Sequence, residues 1–249
     1  MQRARSKVSA LLIVIAGCGG SPSSPSQTLT ERATTAHFLF RFSKGDSVDT
    51  TWQEAYHAWA VAQLGVTPPV ITYNKYRDRA EMGAITGNGN TNGYAEPSLN
   101  TLHTIWPTDN HEVVHVYVGP WGFPVALFVE GLAVAHQTNP PAGDLVPKWS
   151  GTPIHVLAQR FRAQGQLIPI ASIAETAAFR AREDGVTYPE SGSFVRFLID
   201  TQGLAAMRRL YGAMSNDAPV AAVRAAFQSV YGFSLDDAET RWLTFLDRQ

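Results

Sequence analysis

The chain has 249 residues, of which 45 % are apolar and 16 % charged. That is enough for a sizeable core and is not the composition of a disordered chain. The formal charge is −1, with a pI near 6.7 and no run of five basic residues, so the electrostatic footprint of a nucleic-acid-binding protein is missing.

Arg3, Arg5 and Lys7 form a positive segment ahead of an apolar stretch, Val8 to Ala16, too short to cross a bilayer as a helix. It ends Ile15-Ala16-Gly17-Cys18, which resembles a bacterial lipobox, whose cysteine becomes the lipidated first residue of the mature protein. The resemblance implies a lipoprotein signal peptide over residues 1–18, lipidation at Cys18, and a domain anchored outside the cytoplasm at the cell envelope. Gly19 follows the cysteine, which by the sorting rule of Gram-negative lipoproteins favours the outer membrane. An ordinary secretory signal with an incidental cysteine is the alternative. Cys18 is the only cysteine, so no internal disulfide is available. Residues 19–34, opening GGSPSSPSQ, read as a flexible tether.

The globular part is expected over residues 35–249. His37 to Phe42 alternates like a strand. Asp49 caps a helix with Trp52, Tyr56, Trp59, Ala60 and Gln63 at helical spacing. Val70 to Tyr76 reads as a second strand, Gly87 to Gly93 as a turn-rich loop, and Asn92 to Ala95 and Thr101 to Trp106 as two short strands. From Asp109 the pattern turns helical, with later helices over roughly 154–165, 191–201, 204–214, 218–231 and 234–246. Ser234 and Asp237 form a capping pair for the last. Strands first and helices after predict an α+β fold.

Residues 111–115 read His-Glu-Val-Val-His, with Asp109 and Asn110 as N-cap residues. On a helix, positions i and i+4 share a face, so His111 and His115 both reach one zinc ion at about 2.0–2.1 Å. Glu112 is rotated about 100° from His111. It therefore points beside the metal, where a water would sit, and a carboxylate there can take that water's proton. A third ligand is offered by Glu130, the one charged residue in an apolar run from Val125 to Val134. A carboxylate in such surroundings is costly unless paired or metal-bound. Gly131 beside it admits another backbone closely.

HEVVH followed by FVEGLA resembles the gluzincin metallopeptidases, and most closely the small bacterial domains called peptidase MA-like. The resemblance implies a small, mostly antiparallel N-terminal sheet packed on a helical, zincin-like C-terminal lobe, with the cleft between. It implies zinc on His111, His115 and Glu130, Glu112 as general base, and a peptide or protein substrate. Tyr188, before Gly192 at a helix start, takes the place of the oxyanion donor, and Gly93-Tyr94-Ala95 that of an edge strand to which an extended peptide is added. The sequence departs from the pattern at Leu127, where the family has Trp, and at Val134, where thermolysin-like members have an acidic residue. The carboxylate that orients a ligating histidine must therefore come from elsewhere, with Asp109 and Glu175 as candidates. His103, His136 and His155 are expected to serve as ordinary histidines. The C-terminal aromatics are expected in the core. The alternative to a hydrolase is a catalytically silent, lipid-anchored binding or scaffold protein that keeps the zincin fold.

Overall fold

The computed structural model describes residues 28–248. The segment expected to be a signal peptide, Cys18 and residues 19–27 lie outside the described residues. The architecture is α+β. The chain forms β1 (Glu31–Thr34), β2 (Phe38–Phe42), α1 (Thr50–Leu64), β3 (Ile71–Lys75), α2 (Arg79–Thr86), β4 (Gly93–Glu96) and β5 (Thr101–Thr104). These are followed by α3 (Glu112–Val118), α4 (Ala126–Val134), the two-residue strands β6 (Lys148–Trp149) and β7 (Thr152–Pro153), and α5 (Ile154–Ala163). The chain closes with α6 (Thr176–Arg180), α7 (Asp184–Gln202), α8 (Leu204–Tyr211), α9 (Val220–Tyr231) and α10 (Leu235–Leu246).

The five-stranded sheet runs β1-β2-β3-β5-β4. It is mixed rather than mostly antiparallel: β1 with β2 and β4 with β5 are antiparallel, while β2 with β3 and β3 with β5 are parallel. The cause is connectivity. Helix α1 carries the chain from β2 back to the start of β3, and such a crossover returns a strand in the same direction. Residues 31–34, expected within the tether, belong instead to the sheet. Ordered structure begins before residue 35, because Glu31–Thr34 pair with β2 and Leu29 is buried. The strand ERAT is a half-exposed edge with no apolar alternation, so composition alone makes it look like linker.

Helix α1 is capped as expected, with the Asp49 carboxylate accepting from Trp52 N at 2.9 Å. Helix α2 is not among the expected elements, although its signals are present: the Asp78 side chain accepts from Glu81 N at 2.8 Å, and Gly87 ends it with φ of 80°. Helix α7 begins well ahead of residue 191 and carries Pro189 inside it. Ser234 and Asp237 form the expected capping box on α10. One continuous apolar core joins sheet and helices, from Phe38, Tyr56 and Tyr73 through Val113 and Phe128 to Phe194, Phe227 and Trp242. Most of the C-terminal aromatics lie in it. No helix among the described residues is long and apolar enough to cross a membrane.

The tightest contact in the helical part is between α4 and α7. A Cβ on Gly131 would stand 2.8 Å from Ser191 O and 2.6 Å from Val195 Cγ2, and one on Gly192 would stand 2.3 Å from Val134 Cγ1. The two helices therefore meet nearly backbone to backbone, with Val134 as a packing residue between them. Gly131→Ala forces them apart. It is expected to lower unfolding free energy by about 1–3 kcal/mol in urea titration, the usual cost of overpacking.

Helix α7 also buries Glu190 completely. Its Oε2 accepts from Ile168 N at 3.1 Å, and its Oε1 has no hydrogen-bond partner among the described residues. Burial pushes this carboxyl up to about 8. The folded protein thus keeps a proton that the unfolded chain releases near the ordinary glutamate value. Stability should fall as pH rises between that value and about 8, since the native state binds more protons across that window. Melting temperatures followed over pH 5 to 8.5 should show less of this decline in Glu190→Gln than in wild type.

Candidate metal centre

The site is assembled where the sheet meets the helices. The segment ahead of α3 is locked by α1: Gln53 Nε2 donates to Asp109 O and Gln53 Oε1 accepts from Asp109 N, each at 2.9 Å. Tyr56 OH reaches Asn110 O at 3.0 Å and His136 O at 2.8 Å. Asp109 then holds the turn that leads into α3, its Oδ1 accepting from His111 N at 2.9 Å and from Glu112 N, the first amide of the helix, at 2.6 Å. The valines of α3 are buried and fix its rotation, leaving His111, Glu112 and His115 toward the cleft.

Helix α4 lies alongside. All nine of its residues are buried, and Glu130 is only 5 % exposed. Glu130 Oε2 lies 3.0 Å from His111 Nε2 and 3.5 Å from His115 Nε2. One donor atom from each of these three residues falls within 4.8 Å of the others, so the group is close enough to hold a metal ion. Glu112 Oε2 stands 4.0 Å from His115 Nε2, beside the cluster rather than within it.

The electrostatics follow from this crowding. Burial opposes the charged form of His111, but its hydrogen bond with Glu130 and the charges of Glu112 and Glu130 outweigh that and raise it to about 9. Burial likewise works against the Glu130 carboxylate, yet the His115 charge and the hydrogen bonds from both imidazoles hold its pKa well below the usual range. Glu112 has no such direct partner, and burial raises it to about 7 against the opposing pull of the two histidines.

The cleft around these groups measures about 800 Å³. Gly93, Tyr94 and Ala95 line it from β4, the edge of the sheet, and Tyr188 lines it from α7. A Cβ on Gly93 would stand 2.9 Å from Glu112 Cγ, so the lack of a side chain at 93 makes room for Glu112. The Tyr188 ring lies 5.9 Å from the His111 ring and 5.1 Å from that of Trp149.

Two residues at the site carry no mark in the sequence. Gln137 Oε1 lies 3.2 Å from His111 Nδ1, where it accepts that ring's second N–H. Neither residue expected to orient a ligating imidazole does so: Asp109 binds backbone amides, and Glu175 accepts from Val220 N at 2.7 Å. The orienting partner is a neutral amide. The second residue, Arg180, donates from Nη2 to Glu130 Oε1 and from Nη1 to the Tyr188 hydroxyl. The remaining histidines are engaged elsewhere. His103 bonds Tyr76 and Glu96, His136 bonds Leu132 O, and His155 bonds Ser193.

No protein-family model matches the chain, and no curated protein matches it. The functional reading therefore rests on the residues themselves.

Asp109→Ala should lower unfolding free energy by about 0.5–2 kcal/mol, the usual cost of losing a side-chain acceptor for the amides at a helix start. It should also weaken metal binding measured by chelator competition, because His111 stands in the turn that the Asp109 carboxylate holds. Asp109→Asn, which keeps an acceptor, should restore most of both.

Proposed function

We propose that the chain is a zinc-dependent peptide-bond hydrolase of gluzincin type, held at the cell envelope by a lipid on Cys18. The observation that supports this most directly is the approach of Glu130 Oε2 to both imidazole Nε2 atoms, with the Glu112 carboxylate standing next to them in an open cleft. Two imidazoles and one carboxylate form a donor set that suits catalytic zinc, which keeps a further position open. His111, His115 and Glu130 would hold the ion, with Gln137 fixing the tautomer of His111. Zinc bound there supplies Lewis-acid polarisation and makes water a far stronger acid.

The chain's own groups do the rest. Glu112 accepts the proton of the attacking water and delivers a proton to the leaving amine. Tyr188, on the opposite wall, offers its O–H to the oxygen that gains charge as the carbonyl is attacked. The edge of β4 offers backbone groups along which an extended peptide can be laid. The lipobox-like run ending at Cys18 supports the envelope location.

Elemental analysis of the purified protein should find one zinc per chain, and Glu130→Ala should lose most of it. With fluorophore-labelled casein as substrate, chelation should abolish cleavage and added zinc restore it. Glu112→Gln should retain zinc and lose activity by a factor of about 10²–10⁴, the usual contribution of general acid–base catalysis. A wild type that stays metal-free in excess zinc overturns the reading. Zinc retained with no cleavage of any peptide pool points instead to a silent binding protein.

A further inference from the structure

We infer that Arg180 is a positioning residue of this site: one guanidinium sets both the orientation of the ligand carboxylate and the direction of the Tyr188 hydroxyl. The inference rests on the hydrolase reading above. The two oxygens of Glu130 are put to different uses. Oε2 faces the imidazole pair, at 3.0 and 3.5 Å, while Oε1 accepts from Arg180 Nη2. A carboxylate held in this way presents one oxygen to the histidines and keeps the other turned from them.

The same guanidinium donates through Nη1 to the Tyr188 hydroxyl oxygen. An arginine cannot accept a hydrogen bond, so the phenolic hydrogen is left for a different acceptor. The fork is planar and rigid. Its two contacts are therefore coupled, and a shift of Glu130 is carried to Tyr188.

Arg180 is itself fixed relative to Glu130. It closes α6, whose first residue, Thr176, accepts through Oγ1 from Ala126 N at 3.0 Å and donates to Asn216 O at 2.6 Å. Ala126 is the first residue of α4, the helix that carries Glu130. The arginine is thus tied back to the element it steers. Its side chain is 48 % exposed and lines the cleft, where a purely structural ion pair has no need to be.

The test uses the full-length protein loaded with cobalt(II), whose visible spectrum reports the ligand arrangement without any substrate. Arg180→Met should change that spectrum and weaken cobalt binding about tenfold, within the range for losing a group that supports a ligand. On labelled casein, kcat should fall about 10²-fold while KM stays within about threefold. Combined with Tyr188→Phe, the loss should be smaller than the product of the two single losses. Arg180→Lys keeps the charge and carries the test if the methionine variant does not fold. It should recover most of the cobalt affinity but not the rate, since a single ammonium lacks the fixed fork. A wild type that binds no cobalt overturns the metal reading and this inference with it. A wild type that binds cobalt, with an Arg180→Met variant matching it in spectrum and affinity or an Arg180→Lys variant matching it in rate, overturns this inference alone.

Discussion

A carboxylate sits in the middle of a helix that is otherwise wholly apolar and wholly buried. An ionised group in that setting is unstable unless opposite charge is brought to it. Around Glu130 the chain gathers two imidazoles, His111 just ahead of α3 and His115 within it, and a guanidinium from the end of α6. These come from segments far apart in sequence. Their convergence ties the sheet-side helix α3 to the helical lobe, so the charge that is costly to bury also fixes how the two halves of the cleft face each other.

Much of this is legible in the amino-acid sequence, because its signals are local. The His-Glu-Val-Val-His spacing is a property of one helical turn, and Glu130 stands out against its apolar neighbours without reference to the fold. The close approach allowed by Gly131 is legible for the same reason. The strands at residues 38–42, 71–75, 93–96 and 101–104 are also visible in outline. Their directions are not read from alternation, which looks the same in a meander and in a crossover. Parallel pairing of β2 with β3 follows from the helix between them, and the strand-helix-strand order expected around α1 already implies it.

What sequence does not show is the company kept by His111, His115 and Glu130. Gln137 is a neutral residue a few positions past α4, and nothing in its neighbourhood marks it as the partner of His111. A carboxylate is a common partner for the second N–H of a metal-binding imidazole, whereas here an amide oxygen accepts it. Arg180 is harder still. It lies in a five-residue helix with little periodicity of its own, two residues from Arg182, and meets Glu130 only through tertiary packing. The early start of α7 is hidden by Pro189, a residue that usually marks a boundary.

The near-contact of α4 and α7 through Gly131 and Gly192 has a consequence for how such a cleft diversifies. Glu130 and the phenol of Tyr188 ride on two helices with no slack between them, so that wall behaves as a fixed jaw. The opposite wall is made of the short edge strand β4 and the Gly- and Asn-rich loop before it. Lengthening or reshaping that loop disturbs neither interlocked helix. The shape of the cleft is therefore freer to change on the sheet side than between the interlocked helices.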